Sequence, residues 1–265
     1  FRGAMDNMSK DASIGGMAAA TSDSNVSTVT LGAGASTGTY SLVVNQLATA
    51  SKVSTKVYAG GASTVINSTN AATSLTLSQS GKSYSVNVPA GATLQQVRDS
   101  INSQFSSAGL SANILTDSTG SRLVMTSTNT GAGTDITIGG NSGLEVGTSV
   151  LGGAPQNAKY TIDGTAQESK SNTLTDALSG VSIKLTGVSA MSSDGVNRVA
   201  STITVSRSAD TLKSSVKGFV DTYNALVTAI SAETSVTTNA DGSTTSSALT
   251  GDSTMRNLQT ALRTQ

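Results

Sequence analysis

The 265-residue chain contains no histidine and no cysteine. Without imidazole it lacks the usual general base of neutral-pH catalysis and the commonest nitrogen ligand for zinc. Without thiols as well, the Ser-His pairing lacks its base and the Cys-His pairing lacks both partners. Disulfides are ruled out, so the fold needs no oxidising compartment, although nothing here forbids one. There is no tryptophan, and aromatic residues make up only 3% of the chain, as three Phe and five Tyr. The cores must therefore come from Val, Leu, Ile, Ala and Thr. Charge of either sign is sparse and balanced, 16 basic against 16 acidic residues with no strong basic cluster. That argues against a nucleic-acid partner, whose phosphates need concentrated positive charge. No apolar run approaches the roughly 18 residues of a membrane-spanning helix. Proline occurs twice, against 27 glycines.

What is present is a Ser/Thr-rich chain with recurring apolar alternation and 36% hydrophobic residues, enough for a folded core. Its length sets an expectation of about two domains. The opening FRGAM looks like an expression-tag remnant, and residues 1–35 are expected to be that remnant followed by a poorly ordered lead-in. Within it, Val26–Leu31 reads as an edge strand. In TYSLVVNQLATASKV, Tyr40, Leu42 and Val44 alternate onto one face, the signature of a half-buried strand. Lys52–Val57 is expected to extend that strand or pair beside it. Residues 59–74 read as a loop. Two strands, SLTLSQ and KSYSVNVP, follow around a Ser80-Gly81 turn.

Thr93 and Gln96 then form a capping-box pair. Leu94, Val97, Ile101 and Phe105 share one face of the predicted helix, and Gly109 marks its stop. LSANILTD, SRLVMTST and TDITIG complete a strand–strand–helix–strand–strand unit, in which the helix is expected to cover one face of the sheet.

After the Gly-rich GTSVLGGAP, a hairpin is predicted around Asp163-Gly164. A short helical turn capped by Thr173 comes next, then the alternating strands VSIKLTGV and ASTITVSR. Residues 191–198 read as a polar loop between them. From residue 209 the character changes. Asp210 is expected to cap a helix whose Leu212, Val216, Phe219, Tyr223, Leu226 and Ile230 repeat every three to four residues, widened by Val220 and Val227. That seam fits either packing on the body or the start of a coiled-coil stalk. Residues 234–247 read as a polar loop, and Asp252 is expected to cap a second helix bearing Met255, Leu258 and Leu262.

No constellation carries chemistry. Asp117, Asp135, Glu145, Asp163, Glu168, Asp176 and Asp194 sit singly beside Gly, Ser or Asn, where short polar side chains make turns. A glycosidase would need two of them converging in a cleft. The Gly-rich stretches lack the Gly-Lys-Ser/Thr of a phosphate loop, and DGSTTSSAL is no calcium loop. Asn25-Val26-Ser27 and Asn67-Ser68-Thr69 match the glycosylation triplet, a frequent chance pattern. No catalytic, cofactor-binding or metal-ligating residue is expected, no cofactor, and no enzymatic activity.

Six stretches of this chain, read together and in order, resemble one family: GTYSLVVNQLATASKV, LQQVRDSIN with LSANILTDSTGSRLVMTSTNTGAG, AKYTIDGTAQESKSNTLTDALSGVSIKL, ITVSRSADTLKSSVKGFVDTYNALVTAI, and ALTGDSTMRNLQTALR. They are similar to the bacterial flagellar filament cap proteins, also called flagellar hook-associated protein 2. The resemblance implies an α+β, mainly β fold of two β-rich domains, one inserted in the other, followed by a helical leg. Carried onto this chain, the enclosing domain is expected over residues 36–69 and 154–208, the inserted one over 70–153 and the leg over 209–265, with the family's terminal coiled coils lying outside the chain. It further implies a secreted subunit at the flagellum tip that assembles into a ring-like homo-oligomer, promotes flagellin folding and incorporation, and prevents flagellin loss. Partners implied are further copies of itself, flagellin, hook–filament junction proteins and, in some members, mucin. The alternatives left open by the residues are another appendage protein or β-domain adhesin, and an enzyme acting on polysaccharide.

Overall fold

The structure is a computed structural model, and it describes residues 16–193, 195–254, 257 and 260. The alternation of Tyr40, Leu42 and Val44 produces strand β3 (Gly38–Gln46), with Leu42 and Val44 wholly buried. It lies at the centre of a five-stranded sheet in the order β1-β15-β3-β11-β12, every neighbour antiparallel. The others are β1 (Met17–Thr21), β11 (Ala158–Ile162), β12 (Thr165–Ser169) and β15 (Ser201–Arg207). A second sheet, β13-β14-β2, is made of β13 (Thr173–Leu178), β14 (Val181–Leu185) and β2 (Ser27–Leu31). Leu42, Val44, Tyr160, Ile162, Ile203 and Val205 of the first share one core with Leu174, Val181, Ile183 and Leu185 of the second. Each such aliphatic side chain contributes about 1.5–3 kcal/mol on burial, which lets a sandwich form with a single buried aromatic, Tyr160.

Between β3 and β11 the chain builds a second core. A four-stranded sheet, β10-β4-β8-β7, uses β4 (Ala50–Ser54), β7 (Leu110–Asp117), β8 (Gly120–Thr130) and the two-residue β10 (Ser149–Val150). A three-stranded sheet, β6-β5-β9, uses β5 (Thr73–Gln79), β6 (Lys82–Val88) and β9 (Thr137–Gly140). Helix α1 (Leu94–Phe105) joins β6 of one to β7 of the other. Its Leu94, Val97 and Ile101 enter the same core as Leu75, Leu77, Val86, Val88, Leu123 and Met125. Its start is the capping box read from the sequence: the Thr93 hydroxyl accepts from the Gln96 amide, and the Gln96 side chain accepts from the Thr93 amide. The turns at Ser80-Gly81 and Asp163-Gly164 each have both residues at positive φ, between 48° and 77°. This is the conformation a two-residue hairpin needs to match strand twist.

Several expectations change. Residues 17–21, expected as lead-in, supply β1, which pairs with β15 over its whole length, while the edge strand expected at Val26–Leu31 is β2, at the edge of the small sheet. Residues 50–54 neither extend β3 nor pair beside it. They pair with β8, and Val53 enters the second core. That unit has two sheets where one was expected, because β9 joins β5 while β4 joins β8. Thr173–Leu178 is a strand where a helical turn was predicted. A single helical turn costs its nucleation and repays little of it, whereas pairing Thr173 and Leu174 with Lys184 and Ile183 covers the free edge of β14.

The long helix α2 (Ala209–Thr234) is capped by Ser208, whose extended backbone precedes the helix and whose hydroxyl accepts from the Thr211 amide. Asp210, expected as the cap, lies in the first turn, where a carboxylate still complements the helix dipole. Part of the predicted loop 234–247 is a hairpin, β16 (Val236–Thr238) with β17 (Thr244–Ser246).

Ile101→Ala, which empties a wholly buried site, is expected to cost about 2–5 kcal/mol, and Thr93→Ala about 1 kcal/mol. Urea unfolding followed by circular dichroism measures both.

Candidate assembly surfaces

Helix α2 places the seam predicted from its sequence mostly in solvent. Leu212, Val216 and Val220 are 43%, 50% and 46% exposed, and Phe219, Tyr223, Leu226 and Val227 are half-buried. Only Ile230 is buried. Phe219 and Tyr223, four residues apart, stack with ring centroids at 6.4 Å. Lys217 and Asp221 form an exposed ion pair at 2.6 Å. The seam thus does not pack on the body among the described residues, apart from its start. At the start, the Ser208 amide donates to the Gly16 carbonyl, and Gly16 sits against Leu212. At the end, the amides of Ser247 and Leu249 donate to the carbonyls of Ser235 and Glu233. Asp252 accepts from the Thr254 amide at 2.6 Å, as a helix cap does. Met255, Leu258 and Leu262 lie outside the described residues.

Two further surfaces went unread in the sequence. On the outer face of the four-stranded sheet, Lys52, Asn113, Leu115, Thr126 and Leu151 line a shallow groove over Val124. Leu115 is 51% exposed. Its place was legible: in Leu110–Ala112–Ile114 the inward parity is already taken, so Leu115 must point out. Val188, Met191, Val196 and Val199 project from the segment between β14 and β15, which is pinched by a bridge between Met191 and Arg198. Composition alone marks that segment only as polar.

The carboxylates are dispersed. Asp117, in the β7–β8 turn, accepts from the Thr119 amide and hydroxyl and pairs with Arg122. These hydrogen bonds, then the Arg122 charge, hold it below the usual carboxylate range. Asp163 accepts from the Ser41 amide at 2.8 Å, joining the β11–β12 turn to β3. Burial alone would raise Glu145, but the amides of its own residue and Gly143, with the Ser142 hydroxyl, outweigh it and lower it. Glu168 is lowered by a hydrogen bond from Asn157, then by Lys159. Asp176 accepts from Thr175. Asp135 is exposed between the buried Thr134 and Ile136, and Asp194 lies outside the described residues. Among the described residues no cluster of three acidic groups could hold a metal ion. Of the two glycosylation triplets, Asn67 is 2% exposed and spends its amide hydrogens on the carbonyls of Ala71 and Val88. It is a structural plug, while Asn25 stays exposed in its turn.

A family model described as the N-terminus of flagellar hook-associated protein 2 matches residues 1–51, and one described as its C-terminus matches residues 155–265. Between them, a flagellin hook IN motif model matches residues 74–129. A crystal structure of FliD (HAP2) from Pseudomonas aeruginosa PAO1 is 32% identical, with TM-score 0.58, over 80% of this chain and 98% of that one. The chain belongs to the flagellar hook-associated protein 2 family. The flagellar cap protein FliD D1-D2-D3 domains from Escherichia coli match 99% of this chain and 83% of that chain at 25% identity and TM-score 0.66. The A-type flagellar hook-associated protein 2 of Pseudomonas aeruginosa is 38% identical over 93% of this chain, which spans 55% of that relative's length. The hook-associated N- and C-terminal models flank the second core as the two halves of the sandwich do. The mainly β fold with a following helical segment agrees with the solved family members.

Within this family member the acidic turns hold structure. Because Asp117 and Glu145 are lowered in the folded chain, their charged forms stabilise it above about pH 4, and that contribution is lost as pH falls through the depressed folded values. Glu145→Gln is expected to flatten the acid limb of a thermal-stability profile between about pH 5 and pH 2, and calorimetry across that range checks it.

Proposed function

We propose that the chain is the head and upper leg of a subunit that caps the distal tip of the bacterial flagellar filament outside the cell. There it promotes the folding and incorporation of flagellin and prevents its loss. The observation that carries this reading is the likeness, across nearly the whole chain, to solved domains described as a flagellar cap protein. The exposed α2 seam supports it, since a solvated heptad stripe is stable chiefly when a neighbouring helix covers it. A ring-like homo-oligomer of the full-length protein follows, with flagellin and hook–filament junction proteins as partners. Mucin binding belongs to the same proposal as a separate activity, read by adhesion to mucin-coated surfaces.

The two cores suggest domain limits that differ from the expected ones. We place the inserted domain at about residues 49–156, because Val53 packs with it and the ladder of β11 to β3 resumes at Lys159. The enclosing domain takes residues 17–48 and 157–207.

A strain lacking the gene is expected to make short filaments and release monomeric flagellin into the medium, with the full-length gene restoring both. Unchanged filament length and flagellin retention would sink the capping reading. In the full-length protein, Val216→Ser with Val220→Ser is expected to shift the assembly toward monomer in analytical ultracentrifugation.

A further inference from the structure

The chain passes between the two cores only twice, outward through Leu47–Thr49 and back through Gln156–Asn157. Two crossings alone would make a hinge. Here they are bonded to each other: the Thr49 amide donates to the Gln156 carbonyl at 2.9 Å, and the Gln156 amide to the Thr49 hydroxyl at 3.1 Å.

Each core also grips the crossings. From the enclosing side, Asn172 acts as a piece of strand against Ala48. Its Oδ1 accepts from the Ala48 amide at 2.7 Å and its Nδ2 donates to the Ala48 carbonyl at 2.9 Å. From the inserted side, the Gly131 amide donates to the Thr49 carbonyl at 3.0 Å, and the Ala132 amide to Asn157 Oδ1 at 2.9 Å.

A third contact uses neither crossing. β8 ends against the β12–β13 connection, where the Thr130 hydroxyl donates to the Lys170 carbonyl at 2.5 Å. At Gly131 (φ +97°) a Cβ would stand 2.6 Å from Lys170 Cβ and 2.7 Å from its Cα, so the two backbones meet without room for a side chain. Asn157 links this contact to the sheet, for it also bonds Glu168, and its carbonyl accepts from Gln46.

We infer that these bonds form a clamp fixing the inserted unit on the enclosing sandwich, so that the two move as one rigid body. Gly131, Asn172 and Thr130 are its positioning residues. The bonded crossings together with a contact that uses neither of them restrain hinge rotation, which two adjacent strands alone do not. The inference rests on the junction geometry and stands apart from the capping role.

The absence of cysteine makes the test direct. Ser118→Cys in the β7–β8 turn and Ser206→Cys on β15, both exposed, take spin labels in the full-length protein, diluted with unlabelled protein so that only distances within one chain are read. Pulsed electron resonance is expected to give one narrow distance distribution in the otherwise unchanged chain. Gly131→Val and Asn172→Leu should broaden it at least twofold, and the milder, shape-conserving Thr130→Val should broaden it measurably. Circular dichroism and thermal unfolding identify any variant that has lost its fold, and Thr130→Val carries the test if the other two do. A broad distribution in the parent overturns the inference. So does a distribution that stays narrow in the folded variants.

Discussion

Strand β3 is hydrogen-bonded on both sides, to β15 from Gly38–Val205 through Leu42–Ser201, and to β11 through Leu42–Ile162 and Val44–Tyr160. These two ladders bring together three stretches that are far apart in the chain, and the rest of the molecule is arranged by them. The long excursion between β3 and β11 has to close on itself, because both its ends are fixed in neighbouring strands of one sheet. It does so by forming its own core. The continuation beyond β15 has to leave at the opposite end of that strand, and there Ser208 starts α2. Loss of Leu42 or Val44 from the buried face would therefore loosen the anchor of every other unit, beyond the cost of one cavity.

The scarcity of aromatic residues shapes how the two cores are filled. Both rely on Leu, Ile and Val from alternating strand positions, with tyrosines at the margins: Tyr40 beside one core, Tyr58 and Tyr84 beside the other. Tyr84 meets Phe105 at 5.3 Å between ring centroids, tying β6 to the end of α1. Small aliphatic and polar residues also leave many backbone groups near the surface. Asn67, Asn102 and Asn172 satisfy several of them by donating to a carbonyl and accepting from a nearby amide, as a strand would. At Asn102 this occupies part of the free edge of β7, which blunts it against pairing with another chain. A protein that exposes apolar surface for assembly benefits from having its strand edges closed in this way.

The faces left open are of different kinds. The α2 seam is long, regular and apolar, suited to another helix. The outer face of the four-stranded sheet is a shallow mixed groove. Neither brings titratable groups together; Asp117 and Asp163 serve the turns in which they stand, while Glu168 and Asp176 lie on strands β12 and β13.

Much of this was readable from local pattern. The strands at 38–46, 73–88, 110–130, 181–185 and 201–207, the capping box at Thr93–Gln96, both two-residue turns and the heptad seam all follow from side-chain period and turn chemistry, which act over a few residues. The sequence by itself also determined what the molecule lacks, since no fold can supply an imidazole or a thiol. Only the tertiary structure decided which strands pair. Thr173–Leu178 has a helix-like start, yet it is a strand because the edge of β14 needs a partner; Met17–Thr21, a Met and three Ala before Thr, lacks the residues that favour strands, yet β15 recruits it. Residues 50–54 follow β3 closely but belong to the other core, because Val53 packs beside Met125. In each case the deciding energy comes from a partner 70 or more residues away along the chain, or, for β13, from a neighbour whose free edge outweighs local propensity, as the pairings of β1 with β15 and β4 with β8 make plain.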